Sequence, residues 1–309
     1  MSSIDIIIPV AGKGTRLRPH TNYYQKCLLP VAEQPILGHI LSRLNVLNVN
    51  KIKLITGYFE DQVFEYVKNN QQYDFKLIRQ EQQLGLAHAI KLGLDRTDRP
   101  VLIVLGDSIF DMDYKLFCKN KTSNIGVLEV EDPERYGIIE THNKKITKFI
   151  EKPKMPKSNL AQIGVYFIHS QRILLDSIVN IMKNKIMKNN EYQLPDAFQY
   201  MLENGYDFDF TKIENYMDCG IVETIMNSNK NILKRDQLNY ISKESNVINS
   251  KLKYCSISDG CVIENSILNN VIVLANTVIK NRQLSNVIIG SYSDELKEKD
   301  AYIEERNVY

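Results

Sequence analysis

A chain of 309 residues with 43% hydrophobic and 25% charged side chains has an ordinary globular composition, and its length suits one large domain with an appendage or two domains. A net charge of +2 excludes a general polyanion binder, so no nucleic-acid partner is expected; without an apolar leader near Met1 or an eighteen-residue apolar run, a cytoplasmic protein with no membrane partner is expected. The five cysteines (27, 118, 219, 255 and 261) are odd in number and form no C-x-x-C pair, which predicts reduced thiols and no zinc site.

Ile4 to Pro9 (IDIIIP) is a short β-branched run that predicts a buried strand. The loop after it, Ala11 to Pro19 (AGKGTRLRP), carries Gly12 and Gly14, and Lys13, Arg16, Arg18 and Lys26 put four cations within fourteen residues. A strand feeding a Gly-rich basic loop predicts a phosphate cradle, because glycine lets backbone N–H groups approach an anion closely. Apolar residues at Ile36, Leu37, Ile40, Leu41 and Leu44 then predict a helix. Strands are predicted at 51–57, 74–79 and 101–105, with helices at 60–69 and 85–94 between them. This alternation predicts a doubly wound, mostly parallel α/β sheet with ligands beyond the carboxyl ends of its strands.

Short strands follow at 125–130, 137–141, 146–150 and 163–168, with His142-Asn143-Lys144 as a hairpin turn, and they read as an inserted β subdomain. Helices are predicted at 172–182 and 195–204, with a strand at 208–213 before the segment 216–220. From about Ser245, apolar pairs recur every five to six residues (Val262-Ile263, Ile267-Leu268, Ile272-Val273, Val278-Ile279, Ile288-Ile289) with Asn, Ser and Gly between them. That hexapeptide pattern predicts about three coils of a short left-handed parallel β-helix. The polar tail, 291–309, either caps it or is disordered. The expected division is a domain over 1–237 and a β-helix with tail over 238–309.

A dinucleotide fingerprint would need a third glycine where Leu17 stands, and no GK[ST] follows the loop, so neither a Rossmann dinucleotide site nor a Walker loop is predicted. Taken together, AGKGTRLRP with Thr21, Lys26 before LLPV, and Leu105-Gly106-Asp107 at a strand end resemble the sugar-1-phosphate nucleotidyltransferases, also called NDP-sugar pyrophosphorylases. The resemblance extends to about residue 225. It implies transfer of a nucleotidyl group from a nucleoside triphosphate to a sugar 1-phosphate with release of pyrophosphate. The attacking phosphate oxygen is already an anion, so positioning and charge neutralisation carry such a reaction, by in-line displacement at the α-phosphorus.

The resemblance also assigns roles. Ala11, Gly12, Gly14 and Thr15 would hold the nucleotide phosphates, with Arg16 and Lys26 at the reacting centre. Gln25 stands where many members carry proline, and it is expected to loosen the approach of Lys26. Asp107 and Asp218, the latter in Tyr216-Met217-Asp218-Cys219-Gly220, would hold Mg²⁺, which suits two carboxylates, phosphate oxygens and waters. Gln80 and Gly85 in QEQQLGLAHA would read a pyrimidine base, with His88 a helix residue nearby. Gly137, Glu151 and Gly164 would contact the sugar and Lys152 its phosphate. Glu191 and Asp196 would border that pocket or cap a helix.

The base segment is close to N-acetylglucosamine-1-phosphate uridylyltransferases, while GLA and DPERYG are close to glucose-1-phosphate thymidylyltransferases, which leaves UTP slightly favoured over dTTP. The acceptor implied is N-acetylglucosamine or glucose 1-phosphate. The β-helix is expected to mediate a homo-oligomer. The competing class is a catalytically silent sugar-nucleotide-binding regulatory protein.

Overall fold

The computed structural model describes residues 3–290 except positions 69, 144 and 237. The predicted tail and the last residue of the predicted hairpin turn therefore lie outside the described residues. Two compact units are present: Met1–Lys13 with Ile40–Tyr216, and Gly14–His39 with Met217–Tyr309.

The first unit is built on a nine-stranded sheet. Strands β1 (Ile4–Pro9), β2 (Val49–Thr56), β3 (Phe75–Arg79) and β4 (Val101–Val104) pair in parallel in the order β3-β2-β1-β4. β4 is buried throughout, as its unbroken apolar run requires. Helices α1 (Ile36–Arg43), α2 (Glu60–Val67) and α3 (Leu86–Gly93) intervene between the strands in chain order, as the helical spacing predicted.

The strands read as an insertion join this same sheet. β5 (Ser123–Glu129), β6 (Gly137–His142), β7 (Lys145–Glu151) and β8 (Leu160–Ile168) extend it through β8, which pairs antiparallel with β4, β5 and β6. β6 and β7 form an antiparallel hairpin, and β9 (Phe208–Lys212) lies parallel to β5. The sheet is thus parallel over β3-β2-β1-β4 and mostly antiparallel beyond. One apolar core joins Ile7, Ile55, Ile90 and Ile103 to residues of α4 (Gln171–Lys183) and α5 (Leu194–Glu203), including Leu174, Ile178 and Phe198. No helix among the described residues is long and apolar enough to cross a membrane.

In the second unit the chain from Tyr240 to Ile289 forms a parallel β-helix. Its register repeats every sixteen residues: Asn246 pairs with Val262 and Val262 with Val278, while Ile267 pairs with Gln283. Successive rungs begin at Tyr240, Asn246, Lys251 and Ser256, so one coil has steps of six, five and five residues in place of three hexapeptides. Two sides of the coil are tightened by one residue each. Left-handed backbone at Asn249, Asn265 and Asn281, sixteen apart, turns one corner; Tyr254, Asn270 and Asn286 turn another. Asparagine accepts that conformation better than other residues with a Cβ, which explains the Asn spacing. After one corner, Ser250 Oγ accepts the Ser266 N–H at 3.0 Å and Ser266 Oγ the Arg282 N–H at 3.1 Å, linking coils edge to edge. Cys255, Ile257, Cys261, Ile263, Leu268 and Val271 fill the interior.

Helix α6 (Val222–Asp236) packs against strands 267–273 and 283–289, and its Asn229 is wholly buried. Asn229 Oδ1 accepts from Ala32 N at 2.8 Å and from Ser256 Oγ at 2.6 Å, and its Nδ2 donates to Tyr254 O at 3.1 Å. One amide therefore ties the segment after Lys26 to the first two coils. Replacing it strands two donors and an acceptor, each costing about 1–3 kcal/mol when unpaired in the interior. Asn229→Ala is expected to lower unfolding free energy in urea by about 2–4 kcal/mol; a loss within measurement error would remove this tie.

Candidate active site

The parallel strands end at one level. Val10 N donates to Ile55 O at 2.8 Å, Gln80 N to Thr56 O at 2.8 Å and Gly106 N to Pro9 O at 3.3 Å. Ala11, Gly12, Gln80 and Asp107 thus follow directly from strand ends, where open α/β sheets bind ligands. Gly12 is exposed, with open space where a Cβ would stand. Gln83 Nε2 donates to Ala11 O at 3.0 Å, so the segment with Gln80 braces the start of the basic loop. A polar cavity of about 590 Å³ is lined by Lys13, Tyr58, Glu60, Arg79, Gln80 and Gln83, among others. Gly85 has φ +100 and ψ 178, a region open essentially to glycine alone, and a Cβ there would meet Tyr192 O at 2.6 Å. Tyr192 N donates to Leu84 O at 2.8 Å and Ala87 N to Tyr192 O at 3.0 Å, which clips Glu191 and Tyr192 beside that turn.

Gly137 and Glu151 are register partners on β6 and β7. A Cβ on Gly137 would come within 2.8 Å of Glu151 Oε2 and 3.0 Å of Gln162 Nε2, so glycine leaves room for that carboxylate. Lys152 Nζ lies 3.5 Å from Glu151 Oε1, and Lys188 Nζ donates to the carbonyls of Glu151 and Lys152. Asp196, in the first turn of α5, is held above the usual carboxylate range by burial first and by Glu151 second, with Lys188 opposing. Beneath this cluster the Tyr166 hydroxyl is pushed up by burial and by the charges of Glu151 and Asp107, while a backbone bond from Gly164 opposes the shift. Gly164 sits where the β8–β5 register slips, and Leu105 fills the space a Cβ would need. The half-buried Asp107 accepts from Ser108 Oγ at 3.4 Å.

The second unit carries the remaining predicted residues. Gly14 caps the 3-10 turn Thr15–Leu17, and its carbonyl accepts from Thr21 Oγ1 at 2.8 Å and from Leu17 N at 2.8 Å. Leu17, the residue that breaks the dinucleotide fingerprint, is fully buried and anchors the loop, while Thr15 and Arg16 are exposed. The Cβ of Lys26 packs beside Gly14. Gln25 does not loosen this segment: its φ of −65 is the angle a proline would impose, and its Oε1 accepts from Cys27 N at 2.6 Å. Asp218 Oδ1 accepts from Gly220 N at 2.9 Å, and the guanidinium of Arg16 reaches the same glycine, 3.5 Å from its Cβ position.

Among the described residues no three His, Cys, Asp or Glu side chains are grouped to cage a metal. Sequence reasoning passed over Gln83, Gln162, Tyr166 and Lys188. The Asn189-Asn190 pair, both left-handed in the turn between Lys188 and Glu191, was the signal for the last of these.

An open α/β sheet whose parallel strands release a Gly-rich basic loop and Asp107 at one edge belongs to the class of folds that bind ligands beyond their strand ends. The chain belongs to the nucleotidyl transferase family, whose model matches residues 6–235. It is 32% identical over 268 residues to the bifunctional protein GlmU of Methanococcus maripaludis, covering 84% of this chain and 60% of that relative. It is 27% identical over 232 residues to the UTP–glucose-1-phosphate uridylyltransferase AglF of Haloferax volcanii, covering 70% of this chain and 91% of AglF. A structure from Bacillus anthracis described as a glucose-1-phosphate thymidylyltransferase superposes with a TM-score of 0.64 at 27% identity, covering 76% of this chain and 96% of that one. The chain spans about three fifths of the length of its GlmU relatives.

Asp196 yields a test of the cluster around Glu151. A carboxyl with a raised pKa in the folded state favours its protonated form, so its contribution to stability is full below the ordinary value of 3.8 and is lost as pH rises through the raised value. Asp196→Asn, neutral at every pH, is therefore expected to unfold at a higher temperature than the parent near neutral pH and at the same temperature in acid. A variant less stable than the parent at neutral pH would contradict the assignment.

Proposed function

We propose that this protein transfers a nucleotidyl group from a pyrimidine nucleoside triphosphate, UTP slightly favoured over dTTP, to a hexose 1-phosphate, forming an NDP-sugar and pyrophosphate. The observation that carries the reading is that Lys13 from the basic loop, Gln80 and Gln83 line one and the same cavity. A cation for phosphates and an amide for a base edge are what a nucleotide needs side by side. The names of the relatives support sugar 1-phosphate as the acceptor class, with N-acetylglucosamine or glucose 1-phosphate as the candidates.

In this reading the backbone of Ala11 to Thr15 and the side chain of Arg16 hold the triphosphate and the departing pyrophosphate. Lys26 neutralises charge at the α-phosphate, and Lys152 steadies the attacking sugar phosphate. Gly137, Glu151 and Gly164 line the hexose, and Lys188 fixes the strand end that carries Glu151 and Lys152. Asp107 and Asp218 are the proposed carboxylates for Mg²⁺, which when bound would neutralise phosphate charge. The nucleophile needs no general base, which matches an arrangement of cations and backbone without a nucleophilic side chain. The catalytic portion is assigned to residues 1–237 and the β-helix with tail to 238–309, in line with a family match that ends at residue 235. Five buried free cysteines agree with a cytoplasmic setting.

The deciding experiment is pyrophosphate release with Mg²⁺ across a panel of nucleoside triphosphates and hexose 1-phosphates. Turnover with a pyrimidine nucleotide is expected, and Asp107→Ala should reduce kcat on the order of a hundredfold or more without loss of fold. Absence of product with every pair would leave the silent regulatory reading in its place. We also assign a homo-oligomer to the β-helix, whose outward Ile248, Ile267 and Val278 are 47%, 48% and 58% exposed. Ile248→Asp with Val278→Asp is expected to lower the mass seen in sedimentation; a parent that sediments as a monomer would end this assignment.

A further inference from the structure

The side chain of Gln80 is only 7% exposed, yet it lines the cavity that also contains Lys13. Its Nε2 lies 3.1 Å from His88 Nδ1 and 3.4 Å from the carbonyl oxygen of Gly85. A carbonyl oxygen can only accept, so the nitrogen end of the amide faces this pair. His88 Nδ1 must then present a lone pair, with the ring proton on Nε2. Burial, reinforced by Lys91 on the same helix and opposed by a hydrogen bond from the ring to the backbone carbonyl of Gln82, holds the His88 ring below its ordinary value and keeps it neutral. Both amide protons of Gln80 are thereby engaged. Its Oε1 has no protein partner among the described residues and is the atom left for a ligand.

We propose that His88 is a positioning residue that sets the donor–acceptor polarity of Gln80 and so restricts the site to bases with a ring N–H on their pairing edge. Uracil and thymine present such a donor at N3. Cytosine presents a lone pair at the same atom, so two acceptors would face each other in a buried site. At equal ring size the two pyrimidine classes are separated by the polarity of one amide. That polarity is decided by a histidine on the neighbouring helix turn. The inference rests on the nucleotide-binding reading of this cavity but not on turnover.

The test measures binding of UTP and CTP by calorimetry in the full-length protein, with pyrophosphate release measured separately. The parent is expected to prefer UTP by about a hundredfold. His88→Lys places a permanent donor where the lone pair stood, and Gln80 must rotate to give it Oε1. The UTP-to-CTP ratio is expected to fall about a hundredfold, mostly through tighter CTP binding. His88→Asn, whose side-chain oxygen falls near the position of Nδ1, is expected to keep the parental ratio, which a merely structural role for the ring would not predict. His88→Ala frees the amide and is expected to lower the ratio about tenfold; it serves if the lysine variant does not fold. Equal binding of UTP and CTP by the parent, or an unchanged ratio in the folded lysine or alanine variant, overturns the inference. A parent that binds UTP selectively but releases no pyrophosphate would refute the proposed reaction and leave this inference standing.

Discussion

The structure depends on the parallel pairing of β1 with β2 on one side and β4 on the other. Parallel strands run in one direction, so their carboxyl ends must finish on the same edge of the sheet. Three separate stretches of chain, ending at Pro9, Thr56 and Val104, are thereby forced to release their loops together. The bonds from Val10 to Ile55 and from Gly106 to Pro9 hold that edge closed. The basic loop, Gln80 and Asp107 acquire their positions from this one geometric fact.

The antiparallel part of the sheet supplies a different environment. There the hairpin of β6 and β7 brings Gly137 against Glu151, and the turn at Lys188 to Glu191 returns a lysine to the same strand end. Charges of both signs meet at a half-buried place: Glu151 and Asp196 against Lys152 and Lys188. Burial first, and the neighbouring charge of Glu151 second, make Asp196 hold its proton more tightly than an exposed aspartate.

The β-helix is bound into the second unit through the side chain of Asn229 and the cover of α6. Asn229 reads Ala32 and the first two coils with one amide, and α6 covers the face formed by Ser256, Ile272 and Ile288. Fully buried Ile and Leu side chains contribute about 1.5–3 kcal/mol each. In a repeat of about three coils that burial, together with the Ser and Asn bonds between coils, offsets the cost of ordering a narrow solenoid. Shortening two of the three sides to five residues keeps the corners at left-handed asparagines, where the backbone strain is least for a residue with a Cβ.

The amino-acid order alone determined the strand-helix alternation, the Gly-rich basic loop and the solenoid, because each is written in local sequence pattern. Alternating apolar runs, a GxG after a strand and pairs such as Ile267-Leu268 are legible without knowing what they touch. It also carried the family motif at Gly12 to Lys26, since that chemistry sits in one contiguous stretch. The tertiary structure alone decided how the later strands attach, since β8 pairs with β4 through hydrogen bonds that no local pattern encodes. The same holds for Gln25, whose capping bond replaces the stiffness of a proline. Lys188, Gln83 and the His88–Gln80 contact were hidden for one reason. Their roles are set by partners brought near through folding, and a polar side chain in a sequence does not state which atom it will face.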